Sequence, residues 1–250
     1  MKTISLKALF LNLFPRALAE GAAPEAEPSW LDNAFGDFAE MSVWGWWLLA
    51  ALMILGLAVY LILRGKRQKP SFWTARTIAV GAVAMALGSV LSMIKIWSMP
   101  LGGSVTPASM LPLLIFAYCY GAGPGLTLGA LYGVMQFILG GGRFAGLGVI
   151  ANLLDYPIAF GLLGLAGLFR KRQNQALGLS LGFGLGCLGR FLASFTSGYV
   201  YYGMYAPEGW NPLIYSAAYN FAYLLPECLI CIALGLAIAP RLLRELRRAR

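Results

Sequence analysis

Residues 44–63 read WGWWLLAALMILGLAVYLIL, a run without a single charged side chain. A helix needs about 20 apolar residues to cross the hydrocarbon core of a bilayer, which is about 30 Å thick. A closed β-barrel is the other structure that can cross a bilayer, but its strands alternate apolar and polar residues. This run does not alternate, so it predicts a membrane-spanning helix.

The rest of the chain has the same character. Of its 250 residues, 59% are hydrophobic and 12% are charged, with a mean hydropathy of +0.71. Soluble domains carry about 25% charged residues. We therefore predict an all-α integral membrane protein with seven spans, an extra N-terminal helix followed by a six-helix bundle. After the first span at 42–63, the predicted spans cover about residues 77–94, 109–120, a stretch ending near 139, 147–169, 176–201 and 212–239.

Charge placement predicts the topology. The net charge of +9 would suggest nucleic acid in a soluble protein, but here Lys and Arg cluster just beyond the apolar runs, which is the positive-inside pattern. Segments 64–76, 170–175 and 241–250 then all fall on the cytoplasmic side. We therefore expect a multi-pass bacterial cell-membrane protein in contact with lipid, with a cytoplasmic C-terminus, an external N-terminus and no nucleic-acid partner.

Four segments follow from these patterns. Residues 1–41 hold six of the ten acidic residues and predict a polar N-terminal segment. Residues 42–71 form the extra transmembrane helix with a basic linker, residues 72–240 the six-helix domain, and residues 241–250 a basic cytoplasmic tail.

The sequence argues against an enzyme. Histidine is absent, which removes the usual general base and most metal sites. No nucleophile-elbow, zinc-protease or P-loop motif occurs, so we expect no cofactor, no metal and no ATP hydrolysis by this chain. Cys228 and Cys231 form a C-x-x-C inside an apolar run, for which helix packing is the favoured interpretation over metal or redox chemistry.

Asp155 is the first candidate binding residue, because an ionisable side chain inside a span is costly and usually faces a cavity. It precedes Tyr156 and Pro157, and the proline removes a helix hydrogen bond and can open the backbone. A carboxylate in an apolar pocket favours a cationic ligand. The alternatives are a salt bridge to Arg190, which could itself be a snorkelling residue, or a helix N-terminal interaction.

The segment from Ser194 to Asn220 is rich in aromatic residues. Aromatic faces bind flat or cationic rings, and Gly198 permits close backbone approach. An interfacial aromatic belt is the alternative for several of these tyrosines, but it does not explain an amide such as Asn220 at span depth. For Glu227, in the last span, packing and ligand contact remain equally open.

Small residues recur along the span at 77–94 and just before it. Ala75 and Ala79, and likewise Ala82 and Ala86, are four residues apart and share a helix face. Such faces let another helix approach closely. The spacing leaves open whether that helix belongs to this chain or to a partner subunit.

Several separated motifs carry a family resemblance. They are GGSVT at 102–106 with SMLP at 109–112, LLDYPIAFGLLG at 153–164, YAPEGWNP at 205–212, and then YS at 215–216, YN at 219–220 and LPE at 225–227. Over roughly residues 72–240 the chain resembles the thiamine-specific substrate-binding (S) components of energy-coupling factor transporters, the ThiT/YuaJ family.

The resemblance implies high-affinity thiamine capture by an S component that docks onto a shared transmembrane (T) subunit and two cytoplasmic ATPases. It places the ligand carboxylate and adjacent tyrosine at Asp155 and Tyr156. It also implies binding roles for Ser194, Gly198, Tyr202, Tyr215 and Asn220. The docking helix would present Ala75, Ala79 and Ala82.

The chain departs from described family members at several of these positions. Those members have a longer acid, a histidine and a tryptophan at the positions of Asp155, Ser194 and Tyr202, and a tryptophan at that of Gly103. An S component for another vitamin or a thiamine precursor is therefore an alternative. A stand-alone ion-coupled carrier and a ligand-free structural protein are alternatives of other classes, but a carrier usually buries a relay of ionisable groups, and few occur here.

Overall fold

The computed structural model describes residues 73–99, 102–139 and 149–248, and within them the protein is an all-helical membrane bundle. The predicted extra span at 42–63 and the acidic segment before it lie outside the described residues. The helices are α1 (Ala75–Met93), α2 (Leu111–Tyr120), α3 (Ala122–Leu139), α4, α5 (Gln175–Val200) and α6 (Pro212–Arg248). Helix α4 joins four pieces, Val149–Leu153, Leu154–Ile158, Ala159–Leu162 and Leu163–Phe169.

Five of these helices, α1 and α3 to α6, are long and apolar enough to cross a membrane. Their bounds agree closely with the predicted spans. Helix α2 has 10 residues, or about 15 Å at 1.5 Å per residue, which is too short to cross alone. Its side chains are buried around its circumference, as expected for an apolar helix enclosed by others.

Two features depart from the predicted element pattern. The predicted loop after α1 contains an antiparallel hairpin of β1 (Trp97–Ser98) and β2 (Ser104–Val105), which pairs Trp97 with Val105. Helix α6 continues to Arg248, through most of the residues that the sequence assigns to the basic tail.

Glycines bring α3 and α4 into backbone contact. A Cβ atom added at Gly129 would lie 2.2 Å from the Phe160 carbonyl oxygen, and one at Gly133 would lie 2.3 Å from that of Tyr156. Only a hydrogen fits at either position. This contact between small residues determines which part of α3 the middle of α4 lies beside.

The middle of α4 is a π-helical turn, Leu154–Ile158, with Pro157 inside it. Proline cannot donate the backbone hydrogen bond that an α-helix requires, and a widened turn absorbs this loss. Such turns are frequent at functional sites. The local opening predicted at Pro157 is therefore present, and Asp155 lies within it.

Helix α1 has two different faces. Thr77, Gly81, Ala84 and Gly88 are buried against the bundle, and a Cβ at Gly88 would lie 3.1 Å from the Tyr132 ring. The opposite face is exposed and contains the small residues Ala75, Ala79, Ala82 and Ala86. The alanine repeat therefore does not pack within the described part of this chain.

Candidate substrate-binding cavity

A cavity of about 370 Å³ lies at the end of the bundle where α1, α3 and α5 end and α4 and α6 begin. All seven residues that the sequence singles out for binding line this cavity. They are Asp155, Tyr156, Ser194, Gly198, Tyr202, Tyr215 and Asn220. The structure thus brings together side chains from α4, α5, α6 and the connection between α5 and α6.

The side of the cavity formed by α4 carries the Asp155 carboxylate. Asp155 is partly buried and its Oδ2 accepts a hydrogen bond of 2.9 Å from the Ser197 hydroxyl on α5. Ser197 is itself fully buried, so it fixes the carboxylate against α5. A carboxylate has about four acceptor positions, so it can also bind a cation or an N–H donor of a ligand.

Tyrosines form much of the remaining wall. Tyr156 packs edge-to-face on Phe137, with ring centroids 5.4 Å apart. Tyr202 lies 6.3 Å from Tyr205 between centroids. Burial, and then the charge of Asp155, raises the pKa of the Tyr202 phenol, so this group stays neutral and can donate a hydrogen bond.

Close contact of α5 with α6 shapes the third side. A Cβ at Gly198 would lie 2.3 Å from the Ser216 Oγ, so glycine is required for this approach. The Asn220 amide donates to the Ser216 carbonyl at 3.0 Å and to the Ser194 carbonyl at 3.3 Å, and its oxygen accepts from the Tyr223 hydroxyl at 3.0 Å. Asn220 therefore holds the two helices together as well as lining the cavity.

The floor of the cavity is polar. Three lining residues lie farthest from the end of the bundle at which the cavity is found. They are Phe160 on α4, Arg190 on α5 and Glu227 on α6. The Arg190 guanidinium carbon lies 4.1 Å from the centre of the Phe160 ring. This cation–π contact places a positive charge about 15 Å along α5 from its end at Val200.

Arg190 does not form the salt bridge to Asp155 that the sequence left as an alternative. Its Nε and Nη1 atoms are buried and have no hydrogen-bond partner among the described residues. The snorkelling interpretation is not supported either, because the Arg190 side chain lines the cavity and its Nε and Nη1 atoms are buried.

Glu227 has the packing role that the sequence leaves open, while ligand contact stays a prediction. Its side chain is 1% exposed, and its Oε1 accepts hydrogen bonds from Thr106 Oγ1 and, at 2.7 Å, from Ser109 Oγ. It thus has a packing role, and it also lines the cavity.

Sequence reasoning missed some of the groups that position the site. Ser197 and the pair Thr106 and Ser109 are ordinary hydroxyl residues in an apolar chain, and their only sequence signal is polarity near a carboxylate or a turn. Tyr219 belongs to the aromatic-rich segment between Ser194 and Asn220, but the hydrogen bond that its hydroxyl accepts from the Gly103 N–H at 3.0 Å joins residues far apart in the chain. A local sequence pattern cannot predict a contact between residues so far apart.

A multi-pass helical bundle with an aromatic, carboxylate-bearing cavity at one end defines the class of membrane proteins that bind a small solute. Comparison with known proteins makes this more specific. The model of the thiamine transporter protein family (Thia_YuaJ) matches residues 78–246. The chain belongs to this family, whose members are transporters and not enzymes.

Two relatives illustrate the relationship. The thiamine transporter ThiT of Bacillus subtilis (strain 168) is 34% identical over an alignment of 161 positions, which covers 59% of this chain and 82% of the relative. The thiamine transporter ThiT of Lacticaseibacillus paracasei is 32% identical over 147 residues, or 53% of this chain and 73% of the relative.

A solved structure is similar in fold. The structure of ThiT from Listeria monocytogenes matches with a TM-score of 0.57 and 23% sequence identity, covering 67% of this chain and 96% of that chain. The agreement supports the helical bundle described above.

Proposed function

We propose that this protein captures thiamine from outside the cell and delivers it inward as the S component of an energy-coupling factor transporter. The observation that carries the proposal is the Asp155 carboxylate in an aromatic cavity of a thiamine transporter family member. Thiamine pairs a cationic thiazolium with an aminopyrimidine, and both rings are flat. Aromatic walls and a carboxylate suit such a ligand.

Formal charges of the less exposed lining residues support a monocation. The lining contains two acidic residues, Asp155 and Glu227, and two basic residues, Arg190 and Lys95, of which Lys95 is exposed. The formal charges of Asp155, Glu227 and Arg190 sum to one negative charge, which a single positive charge on the ligand would balance. Unbalanced charge is costly in a low-dielectric site. The cavity volume of about 370 Å³ is also in the range of small-molecule sites.

Charge placement supports the proposed orientation. The basic residues Arg170, Lys171 and Arg172 follow α4 at the end of the bundle opposite the cavity. By the positive-inside rule that end faces the cytoplasm, together with the C-terminal end of α6. The cavity then faces outward, where a capture subunit meets its substrate.

Energy would come from partner subunits. The sequence contains no P-loop, so ATP hydrolysis would belong to two cytoplasmic ATPases joined through a T subunit. Ala75, Ala79 and Ala82 form an exposed small-residue face on α1 that would let a partner helix approach closely. We assign these three residues to T-subunit docking.

Equilibrium binding to the purified protein in detergent tests the proposal. Tryptophan fluorescence or calorimetry should give a thiamine Kd below about 1 μM, or about −8 kcal/mol. Asp155→Ala and Asn220→Ala should each weaken binding at least about tenfold, or 1.4 kcal/mol. Glu208→Ala is the matched control, because Glu208 is exposed and lies outside the cavity lining.

The ligand series separates thiamine from the alternatives. Asp155→Asn should reduce the preference for thiamine over an uncharged analogue of the same shape, because the amide removes the charge and keeps the volume. Tight binding of a pyrimidine precursor or a different vitamin, with none of thiamine, would favour an S component of another specificity. Failure to bind thiamine, its phosphates and its precursors would refute the proposal.

A further inference from the structure

We infer that Glu227 is a positioning residue that holds the segment of residues 102–109 in the wall of the cavity and thereby sets the rate at which substrate dissociates. The inference rests on the proposed function for the identity of the substrate. It extends that function by assigning a role to a carboxylate that the substrate-binding set does not include.

The 102–109 segment forms part of the cavity wall. Five of its residues line the cavity, namely Gly102, Gly103, Ser104, Thr106 and Ser109. The segment contains the hairpin strand β2 and leads into α2, and it lies at the end of the bundle where the cavity is found. A ligand in the cavity would therefore contact it, and movement of the segment would change access to the ligand.

Glu227 binds this segment at two points. Thr106 Oγ1 and Ser109 Oγ both donate to the same carboxylate oxygen, Oε1. All three side chains are at most 5% exposed. Hydrogen bonds to a charged acceptor that is shielded from water are among the stronger ones in proteins, so this junction is a firm attachment between α6 and the segment.

The segment is shaped for this attachment. The Ser109 N–H donates to Thr106 Oγ1 at 3.1 Å, which closes a tight turn and brings the two hydroxyl groups to one oxygen. Ala108, inside the turn, has a φ of 72°, a left-handed conformation that residues with a Cβ rarely adopt. A strained turn persists only when surrounding contacts hold it, and the Glu227 bonds are such contacts.

Neighbouring contacts extend the attachment to the substrate-binding side chains. Tyr219, Tyr223 and Glu227 are spaced by four along α6 and lie on one face of it. The Tyr219 hydroxyl accepts a hydrogen bond of 3.0 Å from the Gly103 N–H. Tyr223 lies in the same buried apolar cluster as Val105, and its hydroxyl donates a hydrogen bond to the Asn220 side-chain oxygen. The face that anchors the segment is thus continuous with the face that lines the cavity.

Stopped-flow kinetics on the purified full chain test the inference. Thr106→Val combined with Ser109→Ala removes both donors and leaves Glu227 in place. We expect the thiamine dissociation rate to rise at least about tenfold and the association rate to change less, because most effects of such contacts lie in dissociation. Thr106→Ser keeps the hydroxyl and should behave as the unmutated chain, which a mere packing requirement for threonine would not predict.

Two further measurements keep the test decisive. Hydrogen exchange at the amides of the 102–109 segment should be faster in the Thr106→Val, Ser109→Ala double variant and unchanged in the control Thr196→Val. The Thr196 hydroxyl donates within α5, to the Leu192 carbonyl. Dissociation within about twofold of the unmutated rate, or unchanged exchange in the segment, would overturn the inference. Lack of thiamine binding by the unmutated chain would instead refute the proposed function, and hydrogen exchange would still test the anchor.

Discussion

At the scale of single residues, the cavity is built from groups that are expensive inside a membrane. A charged side chain at mid-span costs about 2.5–3.5 kcal/mol on insertion scales. The Asp155 carboxylate is stabilised by the hydrogen bond that it accepts from the Ser197 hydroxyl. A cationic ligand would stabilise this carboxylate further. The same argument applies to Arg190, whose guanidinium lies on the Phe160 ring.

Gly198 gives the prediction that belongs to this scale. Gly198→Ala should weaken thiamine binding at least about tenfold, because the new Cβ would lie 2.3 Å from Ser216 Oγ and push α6 away from α5. Adding Ser216→Ala removes that oxygen and should recover most of the affinity. Calorimetric titration of the single and double variants provides the measurement.

The control for this pair is Gly184→Ala, also on α5, where an added Cβ meets nothing within 4 Å. That variant should bind as the unmutated chain does. Normal binding by Gly198→Ala, or no recovery in the double variant, would contradict the proposed role of close approach.

At the scale of elements, α3 and α4 determine where the site residues lie. The contacts of Gly129 with Phe160 and of Gly133 with Tyr156 join α3 to the part of α4 that carries Asp155. The π-helical turn around Pro157 then lies directly against α3. The glycines of one helix and the irregular turn of the next therefore act together to place the carboxylate.

Substitution of these glycines should lower stability. Gly129→Ala and Gly133→Ala should each destabilise the protein by about 1–3 kcal/mol, the usual cost of overpacking, since each methyl group would meet backbone atoms that cannot rotate away. Thermal unfolding in detergent, monitored by circular dichroism, should show the loss as a lower Tm.

Gly123→Ala, on the same helix, is the matched control because an added Cβ there meets nothing within 4 Å. Alanine is a better helix former than glycine by roughly 0.5–1 kcal/mol. The Tm of the Gly123→Ala variant should therefore be equal to or higher than that of the unmutated chain. Equal Tm values for all three variants would show that the α3–α4 contact tolerates a methyl group.

At the scale of the whole molecule, the two faces of α1 separate folding from proposed docking. The buried face carries Gly81, Ala84 and Gly88, and the exposed face carries the alanines. Exposed apolar area is normal for a helix that meets lipid, but exposed alanines in a four-residue repeat also suit a partner helix. The cavity is at one end of the bundle, so docking along α1 leaves it accessible.

Ala79→Trp tests this arrangement. Uptake of labelled thiamine by cells or by reconstituted transporter should fall at least about tenfold, while the Kd of the purified subunit stays within about twofold. The bulky ring would hold a partner helix away, and Ala79 is distant in sequence from every residue of the cavity lining.

Leu87→Trp serves as the control, because Leu87 is also exposed but lies about 110° around α1 from the alanine face at 3.6 residues per turn. It should leave both uptake and binding unchanged. Normal uptake by Ala79→Trp would exclude the alanine face as the docking surface.

The sequence alone determined the membrane class, five of the six spans predicted in the described bundle and the opening at Pro157; the predicted span at 109–120 is the short helix α2. It could do so because these properties depend on local composition: the bilayer thickness fixes how many apolar residues a span needs, and proline lacks a donor wherever it occurs. Asp155 and Asn220 were also recognisable, since a polar group in an apolar span is conspicuous without knowledge of its neighbours.

Only the tertiary structure decided which faces meet. It gave Asp155 the Ser197 hydroxyl as its partner in place of Arg190, joined Glu227 to Thr106 across more than a hundred residues, and turned the alanines of α1 outward. These outcomes depend on the rotation and closeness of helices that are distant in the chain. Hydropathy measures how well a segment suits lipid, and it carries no information about which side of that segment another helix will occupy.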